Sequence, residues 1–173
     1  MKRDSLQGCQ VVSHEKLMDA RGYFKYVFQQ SGLAEPHEVS QVNHSFSREG
    51  VLRGIHLEPW QKLVTVISGR ARICVVNLIP SHPEYTDHML IDTGEDSPQG
   101  FAVLIPMGFG NAFLALRDTH YLNFVSKEYS EKGRSGARWD DPVFGVDWAL
   151  RDEPTLSSQD KNWAPWSSDA SVN

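Results

Sequence analysis

The sequence contains little cysteine, and this limits the kinds of site that it can build. Of its 173 residues only two are cysteines, Cys9 and Cys74, and they are not closely spaced. Two distant thiols form neither a disulfide framework nor a zinc-binding pattern. Free cysteines are typical of proteins that work in a reducing compartment, so we expect the protein to be cytoplasmic.

The chain also lacks long apolar runs and an excess of basic residues. Its first residues, MKRDSLQGCQVV, begin with two cations but have no apolar stretch, so they do not resemble a secretory signal. No segment approaches the length of a membrane span. The formal net charge of −5 argues against broad binding to nucleic acid or to an anionic membrane. The length of 173 residues suits a single domain with a substantial core.

Helical periodicity is scarce, and short strand-like segments dominate. KLVTVISG and RARICVVNLI are rich in β-branched residues and are separated by Ser68 and Gly69, which predicts a tight hairpin. HMLID and FAVLIP flank a polar loop and predict a second hairpin. Several short strands at this spacing predict an all-β fold, either an antiparallel sandwich or a barrel.

The chain becomes polar and irregular after Trp148. This tail, roughly residues 150–173, still contains Trp163 and Trp166. Large indole rings rarely remain in solvent, so we expect both to pack on the barrel or on a partner subunit.

A small β-barrel with a histidine near a strand end and a later Pro-x-Gly turn suggests a cupin. Metal-binding cupins usually carry a His-x-His pair, a glutamate and a further histidine. Here the first pattern reads His56-Leu57-Glu58, and Asn111 in PMGFGNAF occupies the position of the last histidine. Transition metals normally need at least three protein ligands, so we expect neither a metal nor another cofactor.

Seven sequence blocks occur in a recognisable order. They are DARGYF (19–24), QVNHSFS (41–47), GVLRGIH (50–56), KLV (62–64), LIPMGFGNAFLAL (104–116), WDDPVFGVDW (139–148) and PTLSSQD (154–160). Together they resemble the dTDP-4-dehydrorhamnose 3,5-epimerase family over most of the chain. The resemblance implies a metal-free cupin, a homodimeric antiparallel jelly roll that acts on nucleotide-linked 4-keto-6-deoxy sugars.

The resemblance also implies catalytic roles. A ketone at C4 makes the hydrogens at C3 and C5 acidic, because loss of either gives an enolate. The family histidine of the LRG-hydrophobic-His block is the base and corresponds to His56. We expect its carboxylate partner to be Asp141, the second acid of the W-x-D-P block. Lys62 matches the family lysine that lies near the developing enolate.

Further positions match ligand-binding residues of the family. Arg53 and Arg21 match arginines that bind the nucleotide diphosphate, and two guanidinium groups suit two phosphates. Gln41 and Asn43 match polar positions in the ligand site, and Phe24 matches an aromatic residue beside the base.

Three positions differ from the family pattern. Asn111 replaces a histidine and is expected to contact the sugar without exchanging a proton. The family's catalytic tyrosine aligns with Asn123, or with Phe124 if one counts forward from Asn111. Tyr26 replaces a common glutamate, so the nucleotide could be GDP or CDP rather than dTDP.

The loss of the usual tyrosine leaves two interpretations open. Tyr121 and Tyr129 are the nearby phenols that could replace it as the acid. Without a positioned acid, the enzyme is expected to favour epimerisation at one carbon, or a related keto-sugar isomerisation. The alternative is a catalytically inactive cupin that only binds a nucleotide sugar.

Overall fold

The computed structural model describes residues 1–97 and 99–167, so the last part of the predicted tail, 168–173, lies outside the described residues. Nearly all of the regular structure is β-strand, which confirms the all-β prediction. The strands are β1 (Lys2–Arg3), β2 (Gln10–Glu15), β3 (Leu17–Asp19), β4 (Gly22–Phe24), β5 (Gln41–Ser47), β6 (Leu52–Leu57), β7 (Lys62–Ser68), β8 (Arg70–Asn77), β9 (His88–Gly94), β10 (Gln99–Ile105), β11 (Phe109–Ala115), β12 (Thr119–Val125) and β13 (Ser135–Gly136). The helical elements are a 3-10 turn (Gln30–Gly32) and a short helix, α1 (Ser158–Lys161).

Two sheets form the sandwich. One has six strands in the order β1-β9-β8-β11-β6-β13, and the other has five in the order β2-β10-β7-β12-β5. Neighbouring strands are antiparallel except for β1 and β9. Strands β3 and β4 form a separate hairpin. This is the predicted jelly-roll architecture.

Both predicted hairpins are wrong, although their strands are real. β7 and β8 follow one another along the chain but belong to different sheets, and the same is true of β9 and β10. Gly69 makes the corner between β7 and β8 with a φ of 82°, and a Cβ atom there would lie 1.9 Å from the Asp118 carbonyl oxygen. A side chain could not fit at this corner. The chain therefore crosses between the sheets instead of folding back on itself.

The apolar residues of the strands divide among three clusters. Between the sheets lie side chains from both, including Val64, Ile73 and Phe113. On the outer face of the six-stranded sheet, a second cluster joins β6 and β11 to the segment 137–166, with Phe144 and Trp148 buried. A third, smaller cluster covers part of the outer face of the five-stranded sheet. Burial on both faces explains why these strands read as nearly continuous apolar runs.

The tail packs on the outer face of the six-stranded sheet. The Trp166 indole donates a 2.9 Å hydrogen bond to the Tyr85 hydroxyl, and its ring centroid lies 6.4 Å from that of Phe144. The Trp163 ring lies against the backbone at Gly136 of β13. These contacts hold the C-terminal segment close to β6, the strand that carries His56.

Candidate active site

A cavity of about 240 Å³ opens between the two sheets at one end of the sandwich. Its lining residues are Asn43, Ser45, Arg53, His56, Glu58, Trp60, Lys62, Asn111, Phe113, Tyr121, Asn123, Val125 and Tyr129. The six-stranded sheet contributes Arg53 and His56 from β6 and Asn111 from β11. The five-stranded sheet contributes residues of β5, β7 and β12. The cavity therefore has a wall from each sheet, and most of its lining residues carry a polar or charged group.

An irregularity in β6 brings Arg53 and His56 to the same cavity. Residues three apart in a regular strand point to opposite faces. The pairing of β6 with β11 shifts register between Asn111 and Phe113, opposite Gly54, which has a φ of 114°. A Cβ on Gly54 would lie 2.6 Å from the Asn111 carbonyl oxygen. Bulges of this kind redirect side chains, and here the bulge aligns an arginine with a histidine.

The His56 imidazole is paired with the carboxylate of Asp160. Its Nε2 lies 2.6 Å from Asp160 Oδ1, and Asp160 is 3% exposed. The other carboxylate oxygen accepts a 2.8 Å hydrogen bond from the Ser157 hydroxyl, and that hydroxyl accepts the Asp160 backbone N–H. Burial acts to raise the Asp160 pKa, but His56, Ser157 and the Gly54 backbone together lower it below its ordinary value. The carboxylate therefore stays ionised, and it leaves Nδ1 as the ring nitrogen that can take a proton.

Asp141 does not contact His56, so the predicted pairing is wrong. Its Oδ1 accepts the Val143 backbone N–H at 3.0 Å, and its Oδ2 accepts the Trp166 backbone N–H at 2.6 Å. An aspartate before a proline commonly organises a turn in this way. The carboxylate is thus used to close the 141–144 turn and to fix the tail.

Sequence reasoning missed Asp160, although a signal was present. Ser157-Ser158-Gln159-Asp160 has the Ser-x-x-acid pattern of a helix start, and Ser157 is the N-cap of α1. The preceding Thr155 is tied to the strand entry, since its backbone exchanges hydrogen bonds with Gly50 and Leu52. Helix capping and this bridge place Asp160 beside β6.

Lys62 is buried in an ionic cluster that the sequence did not reveal. The Lys62 ammonium, 3% exposed, donates a 2.8 Å hydrogen bond to Glu58 Oε2. Glu58 Oε1 lies 3.4 Å from Nε of Arg134. Burial acts to raise the Glu58 pKa, but Lys62, His56 and Arg134 outweigh it and lower that pKa. Glu58 is therefore an anion that holds two cations at the cavity.

Asn111 and Tyr121 form a buried pair on the cavity floor. The Tyr121 hydroxyl donates to Asn111 Oδ1 at 3.4 Å, and the Asn111 amide donates to the Cys74 and Ala112 carbonyls at 3.2 Å each. Tyr121 is 1% exposed and stacks on Phe113 with ring centroids 4.2 Å apart. Burial strongly raises the Tyr121 pKa, which makes it a poor proton donor.

Asn123 lines the cavity and Phe124 does not. Phe124 instead stacks on Phe28, with ring centroids 5.7 Å apart, on the outer face of the five-stranded sheet. The alignment that places Asn123 at the family's tyrosine position is therefore the one that fits the geometry. An amide cannot serve as a general acid near neutral pH.

The predicted ligand-binding residues separate into two groups. Asn43 and Arg53 line the cavity, and Arg53 is oriented by hydrogen bonds to the Ser47 hydroxyl at 2.9 Å and the Phe46 carbonyl at 3.1 Å. Gln41 lies beside Asn43. Its side-chain N–H donates to the Asn43 amide oxygen, and its Oε1 accepts the Tyr129 backbone N–H at 3.0 Å.

Arg21 and Phe24 lie apart from the cavity of their own chain. Both belong to the β3–β4 hairpin, where the Arg21 side chain is 90% exposed and paired with Asp19 at 2.6 Å. Phe24 is 59% exposed and contacts Tyr26 edge to face.

The described residues contain neither a metal-ligand cluster nor a membrane-spanning helix. Among residues 1–97 and 99–167, no three histidine, cysteine or acidic side chains come together in a group that could hold a metal ion. Within the same ranges, the helices are too short or too polar to span a bilayer.

Comparison with known proteins identifies the family. The profile described as dTDP-4-dehydrorhamnose 3,5-epimerase matches residues 3–168. The chain belongs to the dTDP-4-dehydrorhamnose 3,5-epimerase family. The family member from Methanothermobacter thermautotrophicus is 36% identical over 94% of this chain and 92% of its own length. The one from Streptomyces griseus is 32% identical over 93% of this chain and 84% of its own length.

Solved structures of similar epimerases have the same fold. The epimerase RmlC of Mycobacterium tuberculosis superposes with a TM-score of 0.89 at 26% identity, covering 95% of this chain and 86% of its own. ChmJ, a 3′-monoepimerase of Streptomyces bikiniensis solved with dTDP-quinovose, gives a TM-score of 0.86 at 25% identity over 95% and 87% of the two chains.

Proposed function

We propose that this protein is a nucleotide-sugar epimerase that removes a proton at C3 or C5, or at both, of a nucleotide-linked 4-keto-6-deoxyhexose. The observation that carries the proposal is the His56–Asp160 pair, 2.6 Å apart, at a cavity that also contains the buried Lys62. A base, its orienting carboxylate and a cation are the groups needed to form and stabilise an enolate.

His56 is proposed to be the general base. Asp160 accepts the Nε2–H and fixes the tautomer with its lone pair on Nδ1, and its charge stabilises the imidazolium that forms. When a proton leaves the carbon next to the C4 ketone, the electrons of the broken C–H bond form a double bond between that carbon and C4. Negative charge then develops on the C4 oxygen.

Lys62 is proposed to stabilise that oxygen. Its ammonium is already desolvated and held by Glu58, so it needs little reorganisation when the charge develops. A preorganised donor of this kind can lower the barrier by about 3–4 kcal/mol.

Arg53 is proposed to bind the nucleotide diphosphate. Its guanidinium is aligned at the cavity by Ser47 and Phe46, and a fork of donors suits phosphate oxygens. The names of the relatives point to dTDP as the first nucleotide to test, with GDP and CDP as alternatives. Free thiols at Cys9 and Cys74 agree with a cytoplasmic enzyme.

The presence of Asn123 favours epimerisation at one carbon. ChmJ, a structural relative, is described as a 3′-monoepimerase, so single-carbon products occur among similar proteins. The same residue also favours the second candidate, a nucleotide-sugar-binding cupin without catalysis.

A homodimer is proposed to complete the site. The outer face of β5 exposes Val42 and Phe46, which are 51% and 47% accessible, beside the stacked imidazoles of His44 and His120. The exposed hairpin with Arg21 and Phe24 carries two family ligand positions that its own cavity does not use. A second copy seated on this face would cover the apolar side chains, and its hairpin would supply those residues.

Replacing Phe46 with Asp is expected to shift the dimer towards monomer, because a carboxylate would be buried without a partner. Sedimentation velocity measures the shift at several protein concentrations. Val143→Asp is the matched control, since Val143 is equally exposed, at 47%, but lies in the 141–144 turn. Equal dissociation constants for wild type and Phe46→Asp would count against this interface.

The proposed activity predicts exchange of substrate hydrogen with solvent. Incubation with dTDP-4-keto-6-deoxyglucose in D2O should place deuterium at C3 or C5, detected by mass spectrometry and NMR. The GDP- and CDP-linked sugars are tested in parallel. Saturable binding without exchange would support the binding-only candidate, and absence of both with all three nucleotides would reject the proposal.

A further inference from the structure

Inversion at a carbon requires a proton to return from the side opposite to the base. His56 belongs to the six-stranded sheet, so the returning proton must come from the other wall of the cavity. Asn123, which occupies the position of the family's catalytic tyrosine, cannot supply it. The inference below rests on the proposed epimerase function and concerns the identity of the missing donor.

Tyr129 reaches the cavity from the chain that leaves the five-stranded sheet, whereas His56 lies on the six-stranded sheet. Tyr129 follows β12, a strand of the five-stranded sheet, and its backbone N–H donates to Gln41 Oε1 at the edge strand β5 at 3.0 Å. The segment 126–134 then crosses to β13, which pairs with β6 beside His56. A sugar held between the sheets would therefore have His56 on one side and Tyr129 on the other.

Arg134 contacts both the oxygen and the ring of Tyr129. Arg134 Nη1 donates a 2.8 Å hydrogen bond to the Tyr129 oxygen, and its guanidinium carbon lies 5.0 Å from the ring centroid. A guanidinium has donors only, so this contact uses a lone pair of the phenol and leaves its hydrogen available to a ligand. The same contact would stabilise the phenolate left after that hydrogen departs.

Arg134 is itself held in place. Its side chain is 13% exposed, and its Nε lies 3.4 Å from Glu58, whose other oxygen holds Lys62. The titratable or charged side chains that line the cavity together with Tyr129 are Arg53, His56, Glu58, Lys62 and Tyr121, and Arg134 contacts its phenol directly.

We propose that Tyr129 is the catalytic acid that returns the proton, and that Arg134 is a positioning residue that orients the phenol and stabilises its anion. The enolate electrons form the new C–H bond with the Tyr129 proton, and the C4 carbonyl is restored. The phenolate then takes a proton from solvent, and the His56 imidazolium releases one, so no net proton is gained or lost.

Tyr121 fits this role less well. Its hydroxyl is directed at Asn111 on the cavity floor, and at 1% exposure it has little contact with solvent from which to regain a proton. Tyr129 is 52% exposed and can be reprotonated after each turnover.

The test separates proton removal from inversion. In D2O with dTDP-4-keto-6-deoxyglucose, Tyr129→Phe should retain deuterium exchange through His56 but lose inverted product about 100- to 10,000-fold. Val143→Asn, at an exposed position in the 141–144 turn, is the control and should invert normally. Inversion at the wild-type rate in Tyr129→Phe, or its loss in Tyr121→Phe instead, would overturn the proposal.

Arg134 variants test the positioning role. Arg134→Gln should slow inversion about 100-fold with exchange retained, and Arg134→Lys should restore part of the loss. Inversion at the wild-type rate in Arg134→Gln, or no recovery in Arg134→Lys, would overturn the role of Arg134. Absence of exchange in the wild type would instead reject the epimerase function itself.

Discussion

Substitution of His56 by Asn is expected to lower the rate of solvent-deuterium incorporation about 100- to 10,000-fold, the usual contribution of a positioned base. Asparagine is polar and smaller than histidine, and although its amide does not extend as far as Nε2, Asp160 keeps its hydrogen bond from the Ser157 hydroxyl. The reason for the loss is chemical, since an amide cannot accept a proton near neutral pH.

The measurement is exchange into the 4-keto sugar nucleotide, together with a binding titration of the same ligand. Binding within a few-fold of wild type with exchange lost would locate the defect in proton transfer. Val143→Asn, at an exposed position in the 141–144 turn, is the matched control and should exchange normally. Exchange at the wild-type rate in His56→Asn would remove the base from the mechanism.

The two candidate carboxylates should respond differently to the same substitution. Asp160→Asn is expected to reduce the exchange rate about 100- to 10,000-fold, because an amide opposite Nε2 no longer favours the productive tautomer or the imidazolium. Asp141→Asn should instead act mainly on stability, because its carboxylate accepts two backbone N–H groups, those of Val143 and Trp166.

Exchange rates and urea unfolding of both variants distinguish these effects. Asn at position 141 keeps one acceptor oxygen, so a loss of about 1–3 kcal/mol in the free energy of unfolding is expected. If Asp141→Asn lost exchange while fully folded, and Asp160→Asn did not, Asp141 rather than Asp160 would be the functional partner of His56.

Much of the site was accessible from the sequence because its residues lie on strands with recognisable blocks. His56, Lys62, Arg53, Asn43, Asn111 and Asn123 were all predicted for one ligand site, and all line one cavity. The absence of the family's tyrosine at Asn123 could also be read from the sequence. The Glu58–Arg134–Tyr129 cluster could not be predicted from the sequence, because ion pairs formed by a loop leave no periodic pattern.

The sequence by itself determined the β-class of the fold and its family, since alternation and short spacing are local properties of the chain. The tertiary structure alone decided which strands pair and which carboxylate serves His56. β7 and β8 read as a hairpin, yet a Gly69 corner sends them into different sheets. His56 and Asp160 are 104 residues apart, and they meet only because a capped helix and a β-bridge bring the tail back to β6. Contacts of this range depend on how the sheets pack, which no local pattern encodes.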